Sequence, residues 1–194
     1  MVYNNKKGAQ GIGTLIIFIA LVLVAAVAAG VLIQTASSLQ SKSLDVGRQS
    51  QEKITTDIDV VQLFATNTSD GVINGGTDNM TVIVRLGSGS SAIKLSDLLV
   101  KFDSQSGSQT LVFGTNISTE TEYLVNFIIN GSNHNAGYLV EGDLAEFSFT
   151  VDAATTIGES ESSTIRLIAK NGAVKPVDIT TPSAMVEQTT YLYP

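Results

Sequence analysis

Residues 12–33 form a run of 22 residues without a charged side chain, mostly Ile, Leu, Val, Ala and Phe. As a helix this run is ~33 Å long, enough to cross a bilayer core of about 30 Å. Its most polar residue is Thr14, whose hydroxyl can bond back to the helix. The pattern does not stop there. Apolar or small residues recur at Leu32, Ala36, Leu39, Ser43, Val46, Ser50, Ile54 and Ile58, in steps of three or four, which is helical periodicity. Lys42 with Asp45, Arg48 with Glu52, and Lys53 with Asp57 stand three or four residues apart with opposite signs, as on an exposed helix surface. The spacing predicts one continuous helix from about 12 to about 58, ~70 Å long.

Beyond residue 60 the period changes to two. Candidate strands are 60–65, 80–86, 98–102, 110–113, 123–129, 145–151, 164–169, 174–177 and 185–192, the clearest alternation setting Phe147, Phe149 and Val151 against Glu146, Ser148 and Thr150. Clusters of Gly, Asn, Ser and Asp punctuate them. The pattern predicts an antiparallel β-sandwich of immunoglobulin-like type, large enough to bury its own core.

Composition locates the same division. Of 194 residues 43% are hydrophobic and only 15% charged, with a mean hydropathy of +0.24, below the quarter charged that is usual for soluble chains. The shortfall lies in the charge-free stretch between Lys7 and Lys42. The net charge of −7 argues against nucleic acid as a partner. No Cys is present, so thiol catalysis and Cys-ligated metal centres are excluded, and His134 is the single histidine. Lys6 and Lys7, just before the apolar run, place the N-terminus on the cytoplasmic side and the bulk of the chain outside.

Three fates of the apolar run compete. It is a secretory signal cut after Ala26-Val27-Ala28, a permanent anchor, or a helix kept on the mature chain after cleavage behind Gly8. A helical pattern continuing in register past residue 33 disfavours the first, because a discarded signal has no need of it.

The residues Lys6-Lys7-Gly8 followed by Ala9-Gln10-Gly11-Ile12-Gly13-Thr14-Leu15-Ile16 resemble the processing site and mature start of archaellins, the archaeal flagellins. The run from Phe18 to Ile33 is similar to that family's filament-core helix, and the close match covers about residues 6 to 50. Gly13 stands where bacterial type IV pilins usually carry a glutamate, which fits archaellins better than those pilins. The resemblance implies a cleaved leader over 1–8, a long helix over 9–59 with its apolar filament-core or transmembrane half at 12–33, and an outer sandwich over 60–194. It implies processing at Lys6, Lys7, Gly8 and Ala9 by a prepilin-type aspartyl peptidase, which would shift the formal charge from −7 to −9 by removing two lysines. The subunit would insert transiently in the cytoplasmic membrane. It would then polymerise with itself, or with paralogous archaellins, on an assembly platform with its motor, as an extracellular filament for swimming. An adhesive pilin and a membrane-anchored β-sandwich binding module are the alternatives.

Within the helix, Ala25 with Ala29 and Ala26 with Gly30 are pairs of small residues four apart that let helix backbones approach. Gly11, Gly13, Leu15, Phe18 and Leu21 complete the expected packing set. Asn67, Asn79, Asn116 and Asn130 fit the N-glycosylation pattern, and surface filament proteins of this kind are often glycosylated, which implies an oligosaccharyltransferase as a partner. Random placement gives roughly 2.3 matches for this composition, so the excess is weak. Asp70, Asn74 and Asp78 lie in a glycine-rich loop that collects oxygen ligands as Ca²⁺ sites do, without the EF-hand spacing. No other cofactor is implied. His134 is expected to be a solvated loop residue with no oriented nucleophile, so no active site is expected.

Overall fold

The computed structural model describes residues 5–74, 78–115, 120–170 and 174–193. The chain divides into two units, Met1–Arg48 and Gln49–Pro194. Helix α1 runs over Asn5–Thr55 without interruption. No Pro or charged residue breaks residues 8–41, and the threonine hydroxyls of the helix are satisfied by its own backbone. Thr14 Oγ1 donates to the carbonyls of Gly11 (2.9 Å) and Gln10 (3.2 Å), and Thr35 Oγ1 to those of Leu32 (2.9 Å) and Val31 (3.0 Å).

The helix ends earlier than the apolar stripe implied. Ile58, counted as its last stripe position, is the first residue of strand β1 and only 2% exposed. Thr55, Thr56, Ile58 and Val60 are β-branched, so this stretch already favours extended backbone.

The strands that follow are β1 (Ile58–Thr66), β2 (Asn79–Leu86), β3 (Ile93–Lys94), β4 (Leu98–Asp103), β5 (Ser108–Phe113), β6 (Glu122–Ile129), β7 (Tyr138–Leu139), β8 (Leu144–Thr150), β9 (Ser162–Ala169), β10 (Val174–Thr180) and β11 (Thr189–Tyr193). Nine join in the order β10-β9-β4-β5-β6-β8-β2-β1-β11, and β3 pairs with β7. Eight of the expected strands appear with small shifts of boundary. The ninth, expected at 185–192, starts only at Thr189, and Met185 is instead a buried loop residue whose N–H donates to Glu159 Oε1 (2.9 Å).

Among the described residues every strand pairing is antiparallel except one. Strands β5 and β6 run parallel through Val112↔Glu122 and Phe113↔Tyr123, where the expectation was wholly antiparallel. That pair is the seam between a four-stranded part, β10-β9-β4-β5, and a five-stranded part, β6-β8-β2-β1-β11. A chain crossing from one part to the other need not reverse direction as a hairpin does.

The two parts face each other across one core. Phe102 on β4 meets Phe149 on β8 with ring centroids 6.3 Å apart, and Tyr123 packs on Phe147 at 5.3 Å. Val82, Val84, Leu98, Val100, Ile165 and Leu167 are fully buried in the same cluster. Polar side chains sew the layers together. The Tyr123 hydroxyl reaches the carbonyls of Leu98 (2.9 Å) and Leu95 (3.1 Å). Gln109, 5% exposed, donates from Nε2 to the Thr150 carbonyl (3.0 Å) and accepts at Oε1 from Asp152 N–H (3.1 Å). Gly107 is required beside it, because a Cβ there would lie 2.7 Å from the Ala154 carbonyl.

The connection from β6 to β8 is held by Asp143, whose side chain is wholly buried. Its carboxylate accepts from Gly131 N–H (2.7 Å), Val140 N–H (3.3 Å) and the His134 ring (Nδ1, 3.1 Å). Burial pushes this carboxyl up, but the bonds from Gly131, His134 and Val140 outweigh it and hold its pKa below the ordinary 3.8. A carboxylate with a depressed folded-state pKa stabilises the fold above its unfolded value, and that contribution fades as pH falls through the folded value. Asp143→Asn is therefore expected to cost about 2–4 kcal/mol at neutral pH, since it turns a charged acceptor partly into a donor facing N–H groups. The deficit should shrink below about pH 4. Urea unfolding of the outer unit at pH 7 and pH 3 measures both.

Candidate assembly helix and surface sites

The chemistry of the apolar helix follows from what its side chains touch. Fourteen large apolar residues between Ile12 and Ile33 are each 50–71% exposed. An 18-residue window of the helix qualifies by length and composition to cross a membrane, with none of it buried within the chain. The expected packing residues Gly11, Leu15, Phe18, Leu21, Ala25, Ala26, Ala29 and Gly30 are all exposed on this helix, with Gly13 half-buried. A Cβ built on Gly11, Gly13 or Gly30 would meet nothing within 4 Å, so no contact inside the chain calls for glycine at these positions.

Gly8 and Ala9 are exposed within the helical backbone, and Lys6 and Lys7 belong to the same helix. Gly8 is the weakest helix former in this turn.

The glycosylation candidates sit in different surroundings. Asn130 is exposed just after β6. Asn67 is also exposed, in left-handed backbone with φ 67°, but its Nδ2 donates to Asp78 Oδ1 (3.0 Å). Asn79 is the first residue of β2, paired with Thr66 on β1 and Thr150 on β8 and partly buried, and its Oδ1 accepts from Thr150 Oγ1 (3.1 Å). Asn116 lies outside the described residues.

The loop with Asp70, Asn74 and Asp78 is stapled by its own hydrogen bonds. Buried Asp78 accepts from Asn74 N–H (2.8 Å) and Asn67 Nδ2, while Asp70 accepts from Val72 N–H (3.2 Å) and Asn74 Nδ2 (3.5 Å). Among the described residues no three His, Asp or Glu side chains group as metal ligands. These oxygens serve as acceptors for a turn, and an incoming cation would have to compete with that bonding.

His134 differs from expectation. It is 24% exposed, bonded to Asp143 and packed edge-on against Phe127 with centroids 4.5 Å apart. It braces a loop. Asp143 carries this bracing, while Tyr123 and Gln109 tie the layers; no motif marks the three, since most of their partners are backbone groups.

The profile of archaeal-type flagellins matches residues 8–179. The chain belongs to the archaeal-type flagellins. It is 36% identical to Flagellin A1 of Haloferax volcanii, with 94% of this chain and 92% of that one covered. It is 30% identical to Flagellin B1 of Natrialba magadii, over 95% and 94% of the two chains. The fold is that of the archaeal flagellum of Methanospirillum hungatei (TM-score 0.67, 16% identity, 95% of this chain and 99% of that one). It is also that of the flagellin FlaB1 of Methanocaldococcus jannaschii (TM-score 0.60, 17% identity, 71% and 97%).

As an archaeal flagellin this chain is a structural subunit of the archaeal flagellar filament, at the cell surface. For a flagellin, the uncovered helix and the self-contained β-domain have separate solubility requirements. The chain from Gln49 onward is expected to stay soluble and folded, whereas the full chain needs detergent. Ultracentrifugation and far-ultraviolet circular dichroism of both forms check this.

Proposed function

We propose that this archaeal flagellin polymerises by transferring its apolar helix from the membrane into a filament core built of identical helices. The observation that carries the reading is the exposure of all fourteen large apolar side chains between Ile12 and Ile33. Burying such a side chain is worth roughly 1.5–3 kcal/mol, so holding this surface in water costs tens of kcal/mol. Lipid or neighbouring helices must cover it. Small residues at Ala25, Ala26, Ala29 and Gly30 favour close helix approach. A contact that uses different faces on successive copies and does not close grows into a helical filament.

In this reading a prepilin-type aspartyl peptidase cuts between Gly8 and Ala9 and removes Lys6 and Lys7, which otherwise tether the helix to the cytoplasmic face. The helix then waits in the cytoplasmic membrane and is taken up by the assembly platform and motor, alone or with paralogous flagellins. An oligosaccharyltransferase modifies the outer domain, with Asn130 as the preferred acceptor and Asn67 next. Asn79 is disfavoured by its place inside a paired strand.

Three measurements test the parts separately. Leu23→Asp should abolish sheared filaments while leaving the outer domain folded, and intact filaments from this variant would contradict the transfer mechanism. N-terminal sequencing of filaments should begin at Ala9; a start at Met1 or Ala29 would contradict the processing step. Glycopeptide mass spectrometry should find glycan at Asn130 above Asn79, and four bare sequons would remove glycosylation from the reading.

A further inference from the structure

The second half of α1 poses a question that the apolar half does not. Lys42, Asp45, Arg48, Glu52 and Lys53 are its charged residues beyond Lys7. Their spacing of three and four would allow ion pairs along one helix, yet none of the five makes an ion pair within 4.0 Å among the described residues. Asp57, the expected partner of Lys53, is drawn off to Lys175 (3.6 Å). At 100° per residue all five fall on one arc of about 140°. Leu39, Val46 and Ile54 fall outside that arc and are themselves 61–83% exposed. The segment is thus an amphipathic helix with its apolar stripe uncovered and its charged face unpaired.

We infer that this charged face pairs in trans with the same segment of adjacent copies, and that the pairing sets the axial register of the filament. The inference rests on polymerisation through α1, proposed above, and adds to it what decides how far one helix slides past the next.

The sign sequence carries the argument. Along the axis the charges read plus, minus, plus, minus, plus. Two parallel copies at zero offset set like against like at every position. An offset of three or four residues, about 5 Å, brings Lys42 to Asp45, Asp45 to Arg48 and Arg48 to Glu52. An offset of five to seven residues, about 9 Å, opposes Arg48 with Lys53, Lys42 with Arg48 and Asp45 with Glu52, all like pairs. At eight and ten residues, about 12–15 Å, Asp45 meets Lys53 and Lys42 meets Glu52. The pattern therefore favours two windows of offset and penalises the values between them.

Single exposed ion pairs are weak, but a filament repeats each one at every subunit. Charges flanking an apolar seam select register in coiled coils in the same way. A second copy of the helix fits better than the outer domain as the partner. The alternating signs call for a partner with the same alternation, which a second copy supplies; residues 61–194, with 14 acids and six bases, match only Lys42, Arg48 and Lys53.

The test uses full-length chains in an archaeal host lacking its own flagellins. An all-basic variant, D45K/E52K, and an all-acidic variant, K42E/R48E/K53E, are expressed alone and together. Each alone should lose sheared filaments at least tenfold relative to the unaltered chain, and co-expression should restore filaments containing both. Either variant assembling at the original yield overturns the inference, as does a co-expressing strain that stays bare. Independently, helical reconstruction of unaltered filaments should show facing 42–53 segments offset within one of the two favoured windows, and an offset of five to seven residues overturns it. Charge variants that assemble normally while Leu23→Asp does not would remove the register mechanism and leave polymerisation through the helix intact.

Discussion

The demand that fixes everything else in this protein is the desolvation of one helix. Its large apolar side chains find no cover within their own chain, and a few tens of kcal/mol of unmet burial outweigh the net stability of an ordinary domain. The composition of the helix suits that demand. The helix carries no charge over residues 8–41, its threonine hydroxyls are turned onto its own carbonyls, and its small residues permit close approach of another backbone. A helix with these properties is stable in lipid and among its own copies, and in little else.

The β-domain solves the opposite problem. It faces water and buries its own core, so it folds by closure within one chain. Two sheets are joined by a parallel seam at β5 and β6 and locked by polar side chains whose partners are mostly backbone groups. Buried polar groups of this kind are costly when unpaired and specific when paired, which makes the packing of the two layers unique.

Much of this was legible from the residue pattern. The helix is visible because its period and its missing charges are local properties, and the strands because alternation is local too. Phe147, Phe149 and Val151 show their inward face without any knowledge of the partner strand. The misreadings occur where a distant contact overrides the local pattern. Ile58 continues the helical stripe in sequence but is taken into β1 by pairing with Leu86. His134 reads as a polar loop residue and is drawn onto a buried carboxylate and a phenyl ring.

The sequence alone determined that this chain is a membrane-competent helix joined to an acidic β-domain, and its N-terminal residues already matched the archaeal flagellins. Those conclusions depend on hydrophobicity, charge and period, which each segment carries by itself. Only the tertiary structure decided which strands neighbour each other, where the helix stops, that Gln109 and Tyr123 hold the layers together, and that Asp143 braces the β6–β8 connection. It also showed that, among the described residues, none of the helix charges from Lys42 to Lys53 makes an ion pair. Pairing of that kind depends on which backbone groups and side chains meet in space, and no local pattern encodes it.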